Sequence, residues 1–258
     1  MRVLTESTTV PSTVQLGVYL DVGTRDETAE TSGSLYSIQN TYLKTVLNTN
    51  ETVNYGVHQM SGGDFEMLYD REFTLFRGSC LAHDTVDVLR MIVDCALEPR
   101  SAVAANVGID KNTHGHKLSE LLGGNDAYND AVHTVAFGGG SLGNPLKGHK
   151  SNIENLTFRT LQKFQRENIS ADRIVVVGAG IDDHSEFVEL VQDKLSEIQF
   201  SNESKRQREA ASYVGGEVKS LTDSKTTHVT LAFEGLNFHK SLPLLIAKNI
   251  LSGTFRII

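Results

Sequence analysis

Apolar and polar side chains alternate with a period of two through Val14–Val22 (VQLGVYLDV), with β-branched residues among them. That pattern predicts a strand with one buried face, and a short strand at Arg2–Glu6 is expected before it. After the acidic turn GTRDETAETSG the period changes. Leu35, Ile38, Tyr42, Val46 and Leu47 recur at helical spacings and predict a helix over Ser34–Leu47. Two further strands are expected around Val53–Met60 and Phe65–Phe76, with Gly62-Gly63 as the turn between them.

The next stretch has helical periodicity. Val86, Leu89, Ile92 and Val93 share one face of a helix over Thr85–Ala96, which stops before Pro99. A second helix is expected from Ser101 toward Leu122, with Gly108 and Gly115 weakening its middle. A third covers Asn125–Phe137, with Ala127, Ala131 and Val135 on one side. The run GGGSLGNPLKG is too rich in glycine and proline for a regular element and reads as a loop. Leu156–Glu167 predicts a helix, Arg173–Gly178 a buried strand, and His184–Ile198 an amphipathic helix. A polar, basic connection over Ser201–Gly216 then leads to a strand at His228–Phe233 and a last helix at Leu242–Leu251. Strands followed by helices, twice over, imply an α+β fold in which helices pack on one face of a mixed sheet.

Composition narrows the function classes. With 258 residues and 39% hydrophobic content the chain can bury a sizeable core. A formal net charge of -8 argues against a nucleic-acid footprint. The longest apolar runs, Ile174–Gly180 and Leu242–Leu251, fall short of the roughly 20 residues that cross a bilayer, so membrane contact is expected only through other subunits. Cys80 and Cys95 lack zinc-knuckle or disulfide-framework spacing and fit a reducing compartment. Sequons at Asn50, Asn155, Asn168 and Asn202 carry little weight without an apolar signal segment. The opening MRVLTES has only Arg2 basic before Arg25, so an Arg-rich import presequence is expected to have been removed or to lie outside this stretch.

Two motifs suggest chemistry. IVVVGAGIDDH has the strand, G-x-G and helix of a dinucleotide-binding turn, but Asp183 stands where the third glycine belongs and would set a carboxylate near a pyrophosphate. Asp182 or Asp183 as the cap of the His184 helix is the simpler reading, with Gly178 and Gly180 making a tight turn. His114-Gly-His116, with His133 beyond, offers a metal cluster. Residues i and i+2 of a helix face different ways, however, and no carboxylate or cysteine is evidently placed to complete the set. No G-x-S-x-G elbow and no nucleophilic cysteine context occur.

The segments GVYLDVGTRDETAETSG, LRMIVDCALEP, AVHTVAFGGGSLGNPLKG, IENLTFRTLQKF, RIVVVGAGIDDHSEFVELV and THVTLAFEGLNF, in this order and spacing, resemble the mitochondrial processing peptidase family. That family, also called pitrilysin-like, includes the core proteins of respiratory complex III. Its active members carry an inverted zinc motif, H-x-x-E-H, on the helix after the GxRxE turn. Two histidines one turn apart hold zinc, and the glutamate between them activates a zinc-bound water. The corresponding residues here are Tyr36-Ser37-Ile38-Gln39-Asn40. Tyr36 stands at the first histidine, Gln39 at the glutamate and Asn40 at the second histidine. A glutamate ligand from a downstream helix maps near His116. A neutral glutamine cannot take the water's proton, and tyrosine with asparagine is a poor zinc pair.

The resemblance therefore implies a peptidase homologue with no catalytic residues, no metal and no cofactor. It implies a single N-terminal-type domain over residues 1–258, with the family's second domain expected to be absent from this chain. Where alpha subunits continue into a glycine-rich loop after the helix ending near LSG, TFRII follows here. The expected role is a structural core subunit of complex III of the core-protein-two kind, on the matrix side of the inner mitochondrial membrane. The alternative is the presequence-binding, non-catalytic alpha subunit of the processing peptidase. Expected partners are a homologous beta or core-protein-one-like subunit, membrane-embedded complex III subunits and, for the alternative, basic presequence peptides. Rival readings are an active zinc peptidase using His114, His116 and His133, and a nucleotide-binding oxidoreductase resting on Gly178 and Gly180.

Overall fold

A computed structural model describes residues 1–8, 12–39, 63–97, 125–138, 140–153, 155–196, 200, 208, 210–219, 229–234 and 241–247. Five strands form one sheet: β1 (Arg2–Glu6), β2 (Thr13–Leu20), β3 (Asp64–Tyr69), β4 (Thr74–Leu81) and β5 (Ile174–Ala179). Their order is β1-β5-β2-β4-β3. β1 runs parallel to β5, and the remaining pairs are antiparallel. The sheet is mixed, as the α+β expectation required.

The period-two pattern decides which face is covered. Val14, Leu16, Val18 and Leu20 of β2 are buried, and the register sets Val18 between Phe76 of β4 and Val176 of β5. The opposite face keeps Leu4, Tyr19, Leu68, Leu81 and Val177 each more than a third exposed. The helices are α1 (34–39), α2 (Thr85–Leu97), α3 (Asn125–Phe137), α4 (Lys150–Ile153), α5 (Phe158–Asn168), α6 (His184–Ser196) and α7 (242–247). Leu89 and Ile92 of α2, Leu161 and Phe164 of α5, and Val191 of α6 join the strand residues in one core. A buried ion pair, Lys194 Nζ to Asp94 Oδ1 at 2.8 Å, links α6 to α2.

Local signals set the helix ends. Asp183 Oδ1 accepts the backbone N–H of Ser185 (2.8 Å) and of Glu186 (3.1 Å), so the aspartate that spoils the dinucleotide fingerprint is a helix cap. Gly180 takes φ +87 at that turn and donates its N–H to the Glu6 carbonyl at 2.8 Å. Thr157 caps α5 through the N–H of Thr160 at 3.2 Å.

Two expectations need correction. The strand expected over Phe65–Phe76 is two strands, β3 and β4, joined by a turn at 70–73 where the Asp70 N–H donates to the Phe73 carbonyl at 2.8 Å. The reversal is made by the charged run Asp70-Arg71-Glu72, which contains neither glycine nor proline. The strand expected at His228–Phe233 is not formed over the described residues 229–234. Val229, Leu231 and Phe233 are 79%, 79% and 85% exposed, and an alternating pattern makes a strand only where a neighbouring strand completes the ladder. The strand expected over Val53–Met60, the helix expected from Ser101 to Leu122, and most of the helix expected beyond residue 39 lie outside the described residues.

Candidate functional site

The site grows out of the turn that follows β2. Thr24–Asp26 form one 3-10 turn, with Gly23 before it in an extended conformation. The turn lies against the β3–β4 connection: Thr24 N–H donates to the Asp70 carbonyl (3.2 Å) and Arg25 N–H to that of Arg71 (2.9 Å). A Cβ at Gly23 would stand 2.2 Å from the Arg71 carbonyl carbon and oxygen, so no other residue permits this approach.

Two neighbouring carboxylates leave this turn in different directions. Asp26, almost wholly buried, accepts the Gly23 N–H through Oδ2 at 3.0 Å. Its Oδ1 lies 3.9 Å from the Arg173 guanidinium. Glu27 turns to α1, accepting the Gly33 N–H at 2.8 Å through Oε2 and the Leu35 N–H at 2.9 Å through Oε1. It therefore caps the helix that carries Tyr36 and Gln39. Burial pushes the Glu27 carboxyl up to about 7, against the backbone hydrogen bonds from Leu35, Gly33 and Ser34 that favour its ionised form.

The glycine-rich loop expected after α3 closes the same turn from the other side. Asn144 Nδ2 donates to the carbonyls of Thr24 (2.9 Å) and Glu27 (3.2 Å), and Arg25 Nε donates to Ser141 Oγ at 2.9 Å. A Cβ at Gly148, which takes φ +73, would stand 2.4 Å from the Cα and N of Gly33, so only glycine fits there.

Tyr36 is 4% exposed and packs with Ile153 and the partly buried Tyr69. Gln39 is half-buried, and its Nε2 donates to the Met67 carbonyl of β3 at 2.7 Å. Asn40, His114 and His116 lie outside the described residues. His133 is half-buried on α3 with its ring stacked on Phe137, centroids 5.8 Å apart. Burial and then the nearby Arg71 hold its pKa below the ordinary histidine value, against Asp130 and Asp70. Among the described residues, no three His, Cys, Asp or Glu side chains are placed to hold a metal ion.

Of the positions matched to the family's zinc site, only Tyr36 and Gln39 lie among the described residues, and neither is a usual zinc ligand. Tyr36 offers a buried phenol, and the Gln39 amide nitrogen donates to a carbonyl. The two carboxylates of the turn are likewise committed, Glu27 to helix amides and Asp26 to a backbone N–H and guanidinium groups. The arrangement suits a structural joint between sheet, helix and loop. Arg208, which also reaches Asp26, was not legible beforehand: it lies 182 positions away in sequence, and nothing local marks such a pair.

Residues 155–257 match the domain family described as the peptidase M16 inactive domain. Across nearly its whole length the chain is similar to mitochondrial processing-peptidase subunits. It is 27% identical to the beta subunit of Blastocladiella emersonii over 98% of this chain and 55% of that protein. It is 26% identical to a probable alpha-2 subunit of Arabidopsis thaliana over 98% of this chain and 50% of that one. A chain of Candida albicans complex III2, solved with Inz-5 bound, superposes with a TM-score of 0.61 at 18% identity, covering 84% of this chain and 48% of its own length. That likeness concerns the fold. The chain spans about half the length of the curated relatives it matches.

Proposed function

We propose that this chain is a non-catalytic subunit of a hetero-oligomer, a core-protein-two-like component on the matrix side of mitochondrial complex III that pairs with a homologous beta or core-protein-one-like subunit. The observation that carries this reading is Gln39. It stands where active peptidases place the water-activating glutamate, and its amide donates to the backbone of β3. A side chain that holds α1 to the sheet has exchanged chemistry for structure. Tyr36, buried in the adjoining packing, supports the same reading. The match of residues 155–257 to a domain described as inactive agrees with it.

Retention for surfaces also has physical support. Leu242, Leu244, Leu245 and Ile246 of α7 are 43–65% exposed, close in sequence to the exposed Val229, Leu231 and Phe233. Apolar groups gathered in this way favour contact with more protein. A second reading, a presequence-binding alpha subunit of the processing peptidase, is supported by the nearly equal identity to alpha and beta peptidase subunits.

Elemental analysis of the purified chain tests the loss of chemistry, with no stoichiometric zinc expected. Gln39→Glu is expected to restore no chelator-sensitive cleavage of a presequence peptide, because it supplies a base without a metal-bound water. It should also lower stability by about 1 kcal/mol, since a carboxylate would face the Met67 carbonyl where an N–H now donates. One tightly held zinc per chain, or cleavage by the variant, would overturn the reading.

A further inference from the structure

The connector after α6 reads in sequence as a polar, basic linker, and such a linker by itself would be a flexible coil. The structure shows part of it pinned at two points. Arg208 donates through Nε and Nη2 to the two oxygens of Asp26, at 3.1 and 2.6 Å. Its Nη1 meets Asp21 Oδ1 at 2.7 Å, and Nη2 also reaches the carbonyls of Asp21 (3.0 Å) and Glu72 (2.9 Å). The Asp26 side chain is 2% exposed, so its charge needs the bidentate partner. The second anchor is at the end of α3, where the Ala136 carbonyl accepts the N–H groups of Val214 (2.7 Å) and Gly215 (3.3 Å). Gly215 at φ +71 and Gly216 at φ +150 bend the chain away there.

We infer that Arg208 and residues 210–219 form a strap latched by Arg208, which couples the position of this connector to the cap of the site helix α1. The coupling runs through adjacent residues. Asp26 receives the latch, and Glu27 beside it holds the amides of Gly33 and Leu35. Pulling the strap away would strip Asp26 of its main counter-charge and loosen the turn that aims Glu27. In sequence the strap leads on toward 229–247. This device depends on the hydrogen bonds alone and holds whichever hetero-oligomer contains the chain.

Hydrogen exchange measured by mass spectrometry on the 258-residue chain tests it, comparing wild type with Arg208→Ala and Arg208→Lys. Arg208→Ala is expected to speed exchange about tenfold or more in both 210–219 and 24–39, while α2 and α6 stay protected. Arg208→Lys should recover only part of the protection, because an ammonium cannot serve both Asp26 oxygens as a planar fork does. Unchanged protection of 210–219 in Arg208→Ala would overturn the latch. Release of 210–219 without any change in 24–39 would overturn the coupling. If Arg208→Ala loosens the whole sheet, Asp21→Asn decides: faster exchange confined to the two segments upholds the strap, and loss throughout the sheet refutes it.

Discussion

Gly23→Ala is expected to destabilise the chain by about 3 kcal/mol or more, the upper range for forcing atoms into a packed site. The added methyl would overlap the backbone of Arg71 and Glu72 at 2.2–2.3 Å, and neither neighbour is the far end of a flexible side chain. Relief requires the turn to leave the β3–β4 connection, which would break the Thr24 and Arg25 hydrogen bonds and tilt both Asp26 and Glu27. Gly17→Ala is the control. In the middle of β2 its Cβ would meet Leu75 Cδ1 at an ordinary 3.5 Å, so little change is expected. Urea unfolding midpoints of the two variants check this, and a Gly23→Ala midpoint equal to wild type would contradict the packing described.

Glu27 is expected to make stability depend on pH. Its carboxyl, ordinarily near 4.5, is pushed up to about 7, first by burial and in small part by Asp26. The folded chain therefore holds this proton more tightly than the unfolded chain does. The stabilising contribution is complete below about 4.5 and is lost as pH rises through about 7. Over that window the loss amounts to about 3 kcal/mol. Glu27→Gln cannot ionise, so its unfolding free energy should lack this slope, and the difference between wild type and variant should change steadily between pH 4.5 and 7. Parallel pH profiles would refute the assignment. Below the window the variant should lie below wild type in stability, because the NH2 end of its amide cannot accept the Gly33 or Leu35 N–H that a carboxyl oxygen now accepts.

The period-two and helical patterns located β1, β2, β5, α2, α3, α5 and α6 within a few residues, and β2, β5, α2, α5 and α6 each bury one stripe against the same core. The Asp183 cap was legible for a local reason: the acceptor and its amides are two and three residues apart. The turn at 70–73 was hidden because charged residues made it without glycine or proline. His228–Phe233 shows the limit of the pattern, since alternation specifies a face and a neighbour makes the strand. At the site, Tyr36 and Gln39 stood out through family resemblance. Their present roles, packing against Ile153 and donating to Met67, depend on contacts distant in sequence. The same holds for Arg208 and the Asp26 turn.

The proposed role is tested most directly by isolating the chain with its natural neighbours. Mitochondrial membranes solubilised in mild detergent and run on native gels, followed by mass spectrometry, would show where it migrates. The expected result is co-migration with a homologous subunit and with the cytochrome-containing subunits of complex III. Recovery as a soluble pair with a beta-like peptidase would replace the complex III assignment with the alpha-subunit reading. Recovery only as a soluble monomer would contradict the account, because a chain kept for its surfaces would then have nothing to hold.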